Sequence, residues 1–255
     1  MGIMEGKKGL IVGVANERSI AWGIAQAVAR EGGEIGYTYA GEILEKRVRP
    51  LAEQTGSTFV HQMDVTSEEE MDHAFGLAKE HFGTLDFLVH AVAFSDKNEL
   101  KGRYADTSKK NFLNTMDVSV YSFTSMARRA ADLMPDGGAM VTLTYYGAQK
   151  VITNYNVMGV AKAALEASVK YLAVDLGPQN IRVNALSAGP IKTLASAGIA
   201  DFKELLGQGV SRAPLKRNVT LEEIGQAGLY LVSDMSTAVT GECLFVDCGY
   251  QATGC

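Results

Sequence analysis

The 255-residue chain predicts an α/β fold, a doubly wound parallel sheet of about seven strands with helices on both faces. Three observations carry that expectation. Short β-branched apolar runs alternate with longer segments of helical periodicity, an order that joins parallel strands through right-handed helical crossovers. Hydrophobic residues make up 47% and charged residues 21%, the balance of a globular chain that needs no disulfide or metal staples. No Pro- or Ser-rich linker interrupts the alternation, so residues 1–255 read as a single domain.

Each element has its own warrant. Gly9–Val14 is a compact apolar run and gives the first strand, and Ser19–Glu31 follows as a helix with Ile20, Ile24, Ala27 and Val28 on one face. Glu34–Tyr39 is the second strand, followed by a charged helix over Glu42–Gln54. Thr58–Gln62 is the third strand, and Ser67–Phe82 the next helix, where Ser67 and Glu70 have the spacing of a capping box. Phe87–Ala91 supplies strand four, Thr107–Met134 one long helix, Ala139–Tyr145 strand five, and Tyr155–Leu176 another helix. Arg182–Leu186 and Cys243–Val246 are the last strands, with helices near Asp201–Gln208 and Leu221–Ser233 between them.

Composition excludes several classes of function. A net charge of −5 provides no global positive field for nucleic acid or an anionic membrane. The pairs Lys7-Lys8, Arg128-Arg129 and Lys216-Arg217 read as solvated faces. No apolar run approaches the ~20 residues of a bilayer span, and Met1–Lys8 lacks the apolar core of a secretory leader. Cys243, Cys248 and Cys255, an odd number without neighbouring ligands, read as free thiols in a reducing compartment, not as a metal site. The expectation is a soluble cytoplasmic protein.

In a doubly wound sheet, ligands bind at the carboxyl ends of the strands. Gly13 ends the first strand and Ser19 starts the helix, so the first-turn N–H groups at Ser19 and Ile20 could receive a diphosphate, with Gly23 approaching the sheet; an ordinary strand–helix turn is the plain alternative. Asp64 and Val65 follow strand three, where an adenine would lie, although Asp there is commonly a turn residue. The richest constellation is Tyr145, Tyr155 and Lys162. Tyr155 and Lys162 are seven residues apart and share a helix face. A lysine so placed can hold ribose hydroxyls and favour an ionised or polarised tyrosine; the tyrosine can donate to an oxygen that gains charge during reduction. A core tyrosine beside a snorkelling lysine is the bland reading.

The segments Tyr155–Ala167, Arg182–Ala195 and Gly13–Ala25 closely resemble the bacterial enoyl-(acyl carrier protein) reductases, a divergent branch of the short-chain dehydrogenases, and the likeness runs from Gly6 to Gly249. The fold would then be Rossmann-type. The resemblance implies NADH-dependent reduction of the 2,3-double bond of a trans-2-enoyl thioester in fatty-acid elongation, with hydride arriving at C3, an enolate oxygen stabilised by Tyr155, and protonation at C2. It places Lys162 on the nicotinamide ribose, Tyr145 near the acyl carbonyl and Ser95 against substrate; strand alternation turns Tyr146 to the opposite side if strand five continues that far. Gly13, Ser19, Ile20, Asp64, Val65, Val92, Lys162, Ile191, Lys192, Thr193, Leu194 and Ala195 would contact the cofactor. It further implies a substrate-binding segment near 192–212, a carrier-protein partner and a homotetramer with the long helices as interface elements.

Ordinary members of the wider family carry Tyr-x-x-x-Lys, but position 159 here is Gly, which disfavours the main alternative, a carbonyl or alcohol dehydrogenase. A non-catalytic NAD-binding module would lack Tyr155 or Lys162, and both are present. Ala40 stands where many relatives have Gln, and Ala40-Gly41 offers no cation for a 2′-phosphate, favouring NADH over NADPH. Ala93 stands where relatives often have Gly and would tighten the floor near the nicotinamide. Lys203, between Asp201 and Glu204, gives only a weak basic patch for an acidic carrier.

Overall fold

A computed structural model describes residues 2–194, 196 and 202–253. Seven strands form one fully parallel sheet in the order β3-β2-β1-β4-β5-β6-β7: β1 Lys8–Val12, β2 Glu34–Tyr39, β3 Val60–Gln62, β4 Phe87–His90, β5 Gly138–Thr144, β6 Ile181–Ala188 and β7 Cys243–Val246. The order reverses between β1 and β4, whose register pairs Val12 with His90. The inner strands are buried on both faces, as parallel strands covered by helices are, while the edge strands β3 and β7 are only partly buried. Along β1, Leu10 and Val12 join one core and Ile11 the other, the period-two alternation of a pleated strand.

Helices α1 (Ile20–Arg30), α2 (Glu42–Gln54) and α8 (Leu221–Val232) pack on one face. On the other lie α3 (Glu68–Phe82), α4 (Lys109–Met116), α5 (Ser122–Ala131) and α6 (Asn156–Leu176), while α7 spans Phe202–Arg212. The crossing of α1 and α8 depends on missing side chains. A Cβ on Gly225 would run into the Gly23 carbonyl, and one on Gly23 would meet the Leu221 carbonyl at 2.7 Å. Gly23 therefore serves helix–helix contact and not the approach to the sheet expected from the sequence.

The structure corrects several further expectations. The long helix expected over Thr107–Met134 is two helices joined by a π-turn at Asp117–Tyr121. At that turn the Ser122 hydroxyl donates to the Val118 carbonyl at 2.7 Å, a back-bond that competes with regular helix geometry. The capping box at Ser67 is half-formed: Ser67 Oγ accepts from the Glu70 N–H, but the Glu70 carboxylate accepts from the Asp64 N–H at 2.8 Å. A complete box occurs instead at Thr220 and Glu223. Arg129 is no solvated residue; it is buried and joins α5 to Glu68 and Asp72 of α3 at 2.8 and 2.6 Å. Lys7 pairs with Asp86 at 3.6 Å and Asp234 at 3.4 Å.

Candidate active site

The carboxyl ends of the strands open into one cleft of about 1720 Å³, larger than the ~300–1,000 Å³ that holds one small ligand. Its wall gathers Gly13, Ser19, Ile20, Asp64, Val65, Val92, Ser95, Tyr145, Tyr155, Lys162, Ile191, Thr193 and Leu194. Lys192 is exposed and is not part of that lining. Ala195 and Asp201 lie outside the described residues, as does the side chain of Lys203.

At the β1 end, Gly13 has φ +109°, and a Cβ there would strike the Ala91 carbonyl, so only glycine permits β1 and β4 to diverge at this point. Ser19 does not cap α1 with its side chain. Its Oγ accepts from the Ala15 and Asn16 N–H groups at 3.0 and 3.1 Å, and its own N–H donates to the Asn16 carbonyl. Among the described residues the N–H groups of Ile20 and Ala21 have no partner, and both residues line the cleft. The anion-receiving pair is thus displaced by one residue from Ser19-Ile20. Asp64 commits Oδ1 to the Thr66 N–H and hydroxyl at 2.9 and 2.8 Å, the turn role weighed for it, while the Val65 N–H has no partner among the described residues.

The opposite end holds the tyrosines and the lysine. Tyr155 immediately precedes α6, and Lys162 follows two turns later; both are buried. The rings of Tyr145 and Tyr155 meet edge to face, centroids 5.2 Å apart. Tyr146, in the turn that follows β5, packs on Phe245 and Tyr250 and does not line the cleft. The Tyr145 hydroxyl is buried without a partner among the described residues, a donor left for a ligand. Two glycines clamp Tyr155: a Cβ on Gly147 would meet its ring at 2.6 Å, and one on Gly159 would meet the Gly147 carbonyl at 2.8 Å. A side chain at position 159 would force the Gly147 backbone to shift.

Electrostatics separates the roles. Burial, then Tyr145, pushes the Tyr155 phenol above its ordinary value; burial, then Tyr250 and Asp247, does the same for Tyr145. Both remain neutral donors, which fits the expected hydrogen-bond donation by the tyrosine and not its ionisation. The Lys162 ammonium donates to the Leu143 carbonyl at 2.7 Å. Burial draws it down to about 8, against the opposing charge of Glu166. Beneath it, burial and the Lys162 charge hold His90 neutral, down to about 3. Because Ser122 gives its proton to Val118, it accepts from His90 Nε2–H at 2.9 Å, leaving Nδ1 to accept from Thr142 at 2.8 Å.

Ser95 sits in the cleft, but its hydroxyl accepts from Thr115 at 2.9 Å and from Asn111 Nδ2 at 3.1 Å. Sequence reasoning missed the apolar patch of Leu100, Met158 and the half-buried Phe112 and Ile152 around Tyr155. Met158, three residues after Tyr155 and four before Lys162, was legible by helical spacing; Leu100 was not, because it stands in an irregular loop. The residues fit a nicotinamide dinucleotide: free N–H groups at a helix start for the diphosphate, and a buried lysine and an unpartnered tyrosine at the far end. The cations lining the cleft among the described residues are Lys97, Lys110 and Lys162, none of them at the end of β2.

The sequence profile described as enoyl-(acyl carrier protein) reductase matches residues 13–251. The NADH-dependent enoyl-(acyl-carrier-protein) reductase of Rickettsia felis is 58% identical over 253 residues, 99% of this chain and 97% of that protein. One of the corresponding reductases of Rhizobium meliloti is 59% identical, over 99% of this chain and 93% of that protein. The crystal structure of the Anaplasma phagocytophilum reductase in complex with NAD has a TM-score of 0.97 at 58% identity, covering 100% of this chain and 97% of the other. That of the Bacillus cereus reductase with NADP+ and an indole naphthyridinone has a TM-score of 0.98 at 47% identity, covering 100% of both.

Proposed function

Because the chain belongs to the enoyl-(acyl carrier protein) reductase family, we propose that its cleft works through Tyr155 as the hydrogen-bond donor to the reacting oxygen, Lys162 as the cofactor-ribose ligand and Tyr145 as the second donor. The protein is an NADH-dependent oxidoreductase that saturates the trans-2 double bond of enoyl thioesters in fatty-acid elongation. The observation that carries the residue assignment is the meeting of buried Tyr155 with half-buried Tyr145, both neutral, in the cleft that buried Lys162 also lines. When bound, NADH supplies the hydride. Tyr155 donates to the thioester oxygen as it gains enolate charge, stronger in the transition state than in the ground state. Tyr145, with no internal partner, orients the same acyl head. Lys162 holds the ribose hydroxyls while its stem remains packed beneath them. Leu100, Met158 and Phe112 shield the reacting carbon from water.

The reading as a carbonyl or alcohol dehydrogenase is disfavoured, because Gly159 stands where those enzymes place a lysine, and a Cβ there would lie 2.8 Å from the Gly147 carbonyl. The absence of a cation at Ala40-Gly41 supports NADH over NADPH. Residues 1–255 act as one dinucleotide-binding and catalytic unit, with the stretch about 192–212 covering the substrate and Ser95 backing it. The carrier protein delivers the acyl chain at the cleft mouth, in the cytoplasm; among the described residues no helix is long and apolar enough to cross a membrane.

The test is the loss of NADH absorbance with crotonyl-CoA and with an enoyl-carrier substrate. Tyr155→Phe keeps the packed ring but should lower turnover by ~10²–10³, the usual cost of one preorganised donor. A folded variant with wild-type turnover removes Tyr155 from catalysis, and a smaller loss than in Tyr145→Phe exchanges the two roles.

A further inference from the structure

Glu166 is partly buried on α6, one turn beyond Lys162, and the i, i+4 spacing sets the two side chains on the same face. Its carboxylate accepts from the buried Thr144 hydroxyl at 2.8 Å and from Gln149 Nε2 at 3.5 Å. Thr144 is the last residue of β5, between Leu143, whose carbonyl accepts from Lys162, and Tyr145, whose hydroxyl faces the cleft. One carboxylate therefore touches the strand end that presents Tyr145 and sits on the helix that presents Tyr155 and Lys162.

We propose that Glu166 is a positioning residue for the reduction, fastening the end of β5 to α6 and setting a negative charge one helical turn from the Lys162 ammonium that holds the cofactor ribose. This rests on the assignment of Lys162 given above. The surroundings leave Glu166 alone in the charge role. Lys162 interacts with His90 on β4, which is neutral, and shares the cleft with Tyr145 and Tyr155, both neutral phenols. Burial lowers the Lys162 ammonium's hold on its proton, and Glu166 is the group that opposes it. Around Glu166 itself stand Cys243 of β7, whose thiol is pushed up to about 12 by burial and by this carboxylate, and Lys170 of α6.

Two separable effects follow. Glu166→Gln keeps the size of the side chain and an oxygen for Thr144 but deletes the charge. Thr144→Val keeps the charge but deletes the tether. Fluorescence titration of NADH against the full-length protein across pH reads the charge, and steady-state kinetics reads the tether. In the wild type, affinity should weaken as pH rises through about 8, where Lys162 loses its proton. In Glu166→Gln that inflection should move down by about one pH unit, a tenfold change in the protonation constant. Glu166→Asp should restore it. Thr144→Val should leave the inflection in place while kcat falls several-fold.

An inflection unmoved in Glu166→Gln, with affinity lowered equally at all pH values, would make Glu166 a merely structural residue and overturn the proposal. Should the Gln variant fail to fold, an inflection in Glu166→Asp displaced as far as half a unit or more from wild type, or a Thr144→Val variant with unaltered kcat, overturns it in the same way. Lys162→Arg tests the underlying assignment separately. Arginine stays charged, so the inflection should vanish; if it persists, Lys162 is not the titrating ligand and the parent reading fails, whatever Glu166 does.

Discussion

At the scale of single residues, the account turns on what a buried ammonium costs when no ligand is present. Lys162 donates to a backbone carbonyl and has its proton drawn down to about 8 from an ordinary 10.5. A lowered lysine value means the unfolded chain binds more protons than the folded one between those limits, so wild-type stability should rise with pH from about 8 to above 10. Lys162→Met keeps the apolar stem and removes the donors. Its thermal unfolding should lack that rise, and its stability at neutral pH should hold or increase because the desolvation cost is gone. Its NADH affinity should fall at least tenfold, since a charge-assisted hydrogen bond typically contributes ~1.5–3 kcal/mol. Calorimetric titration beside melting curves checks both; intact NADH binding with a lowered melting point would assign Lys162 to packing alone. The pairing of Tyr155 with Lys162 was readable from seven-residue spacing. The neutrality of the tyrosine was not, because it depends on burial against Tyr145, which no local pattern reveals.

Elements were legible wherever one periodicity held throughout and illegible where side chains bonded back to the chain. All seven strands were anticipated, with β6 extending to Ala188 past the expected Leu186. The break between α4 and α5 escaped notice because Val118, Ser119 and Ser122 continue the helical pattern; what breaks it is Ser122 bonding to Val118 and Ser119 accepting from the Phe94 N–H at 3.1 Å. That second contact places the loop carrying Ser95, so the irregularity serves the cleft. The α1–α8 crossing offers the sharper test of element packing. Gly225→Ala would set a methyl against the Gly23 carbonyl and should destabilise the fold by ~1–3 kcal/mol through overpacking. Gly76→Ala, on α3 with open space around it, should hold or gain stability. Equal denaturation midpoints for Gly225→Ala and wild type would show that the helices are free to separate there.

Across the whole molecule, the apolar residues left outside form a pattern of their own. On α6, Val160, Tyr171 and Val174 are exposed, the last two by 75%, and Leu113 and Tyr121 are exposed along α4 and the π-turn. Exposed apolar side chains aligned on a helix mark association surfaces, and the homotetramer that the resemblance implies would draw on these helices. Light scattering should give four chains for the wild type and fewer for Tyr171→Glu; a monomeric wild type contradicts the inference. The sequence made the long helices candidates for this role, but only the fold shows which of their faces remain uncovered.

The claim on which everything else depends is the direction of reduction, hydride to carbon and not to a carbonyl. Crotonyl-CoA reduced with NADH deuterated at the transferred C4 position, in ordinary water, gives a product whose label is read by mass spectrometry and NMR. The account predicts butyryl thioester with deuterium at C3 and a solvent proton at C2, formed at a rate that collapses in Tyr155→Phe. Deuterium at a carbonyl carbon, or NADH consumed without saturation of the double bond, would contradict it.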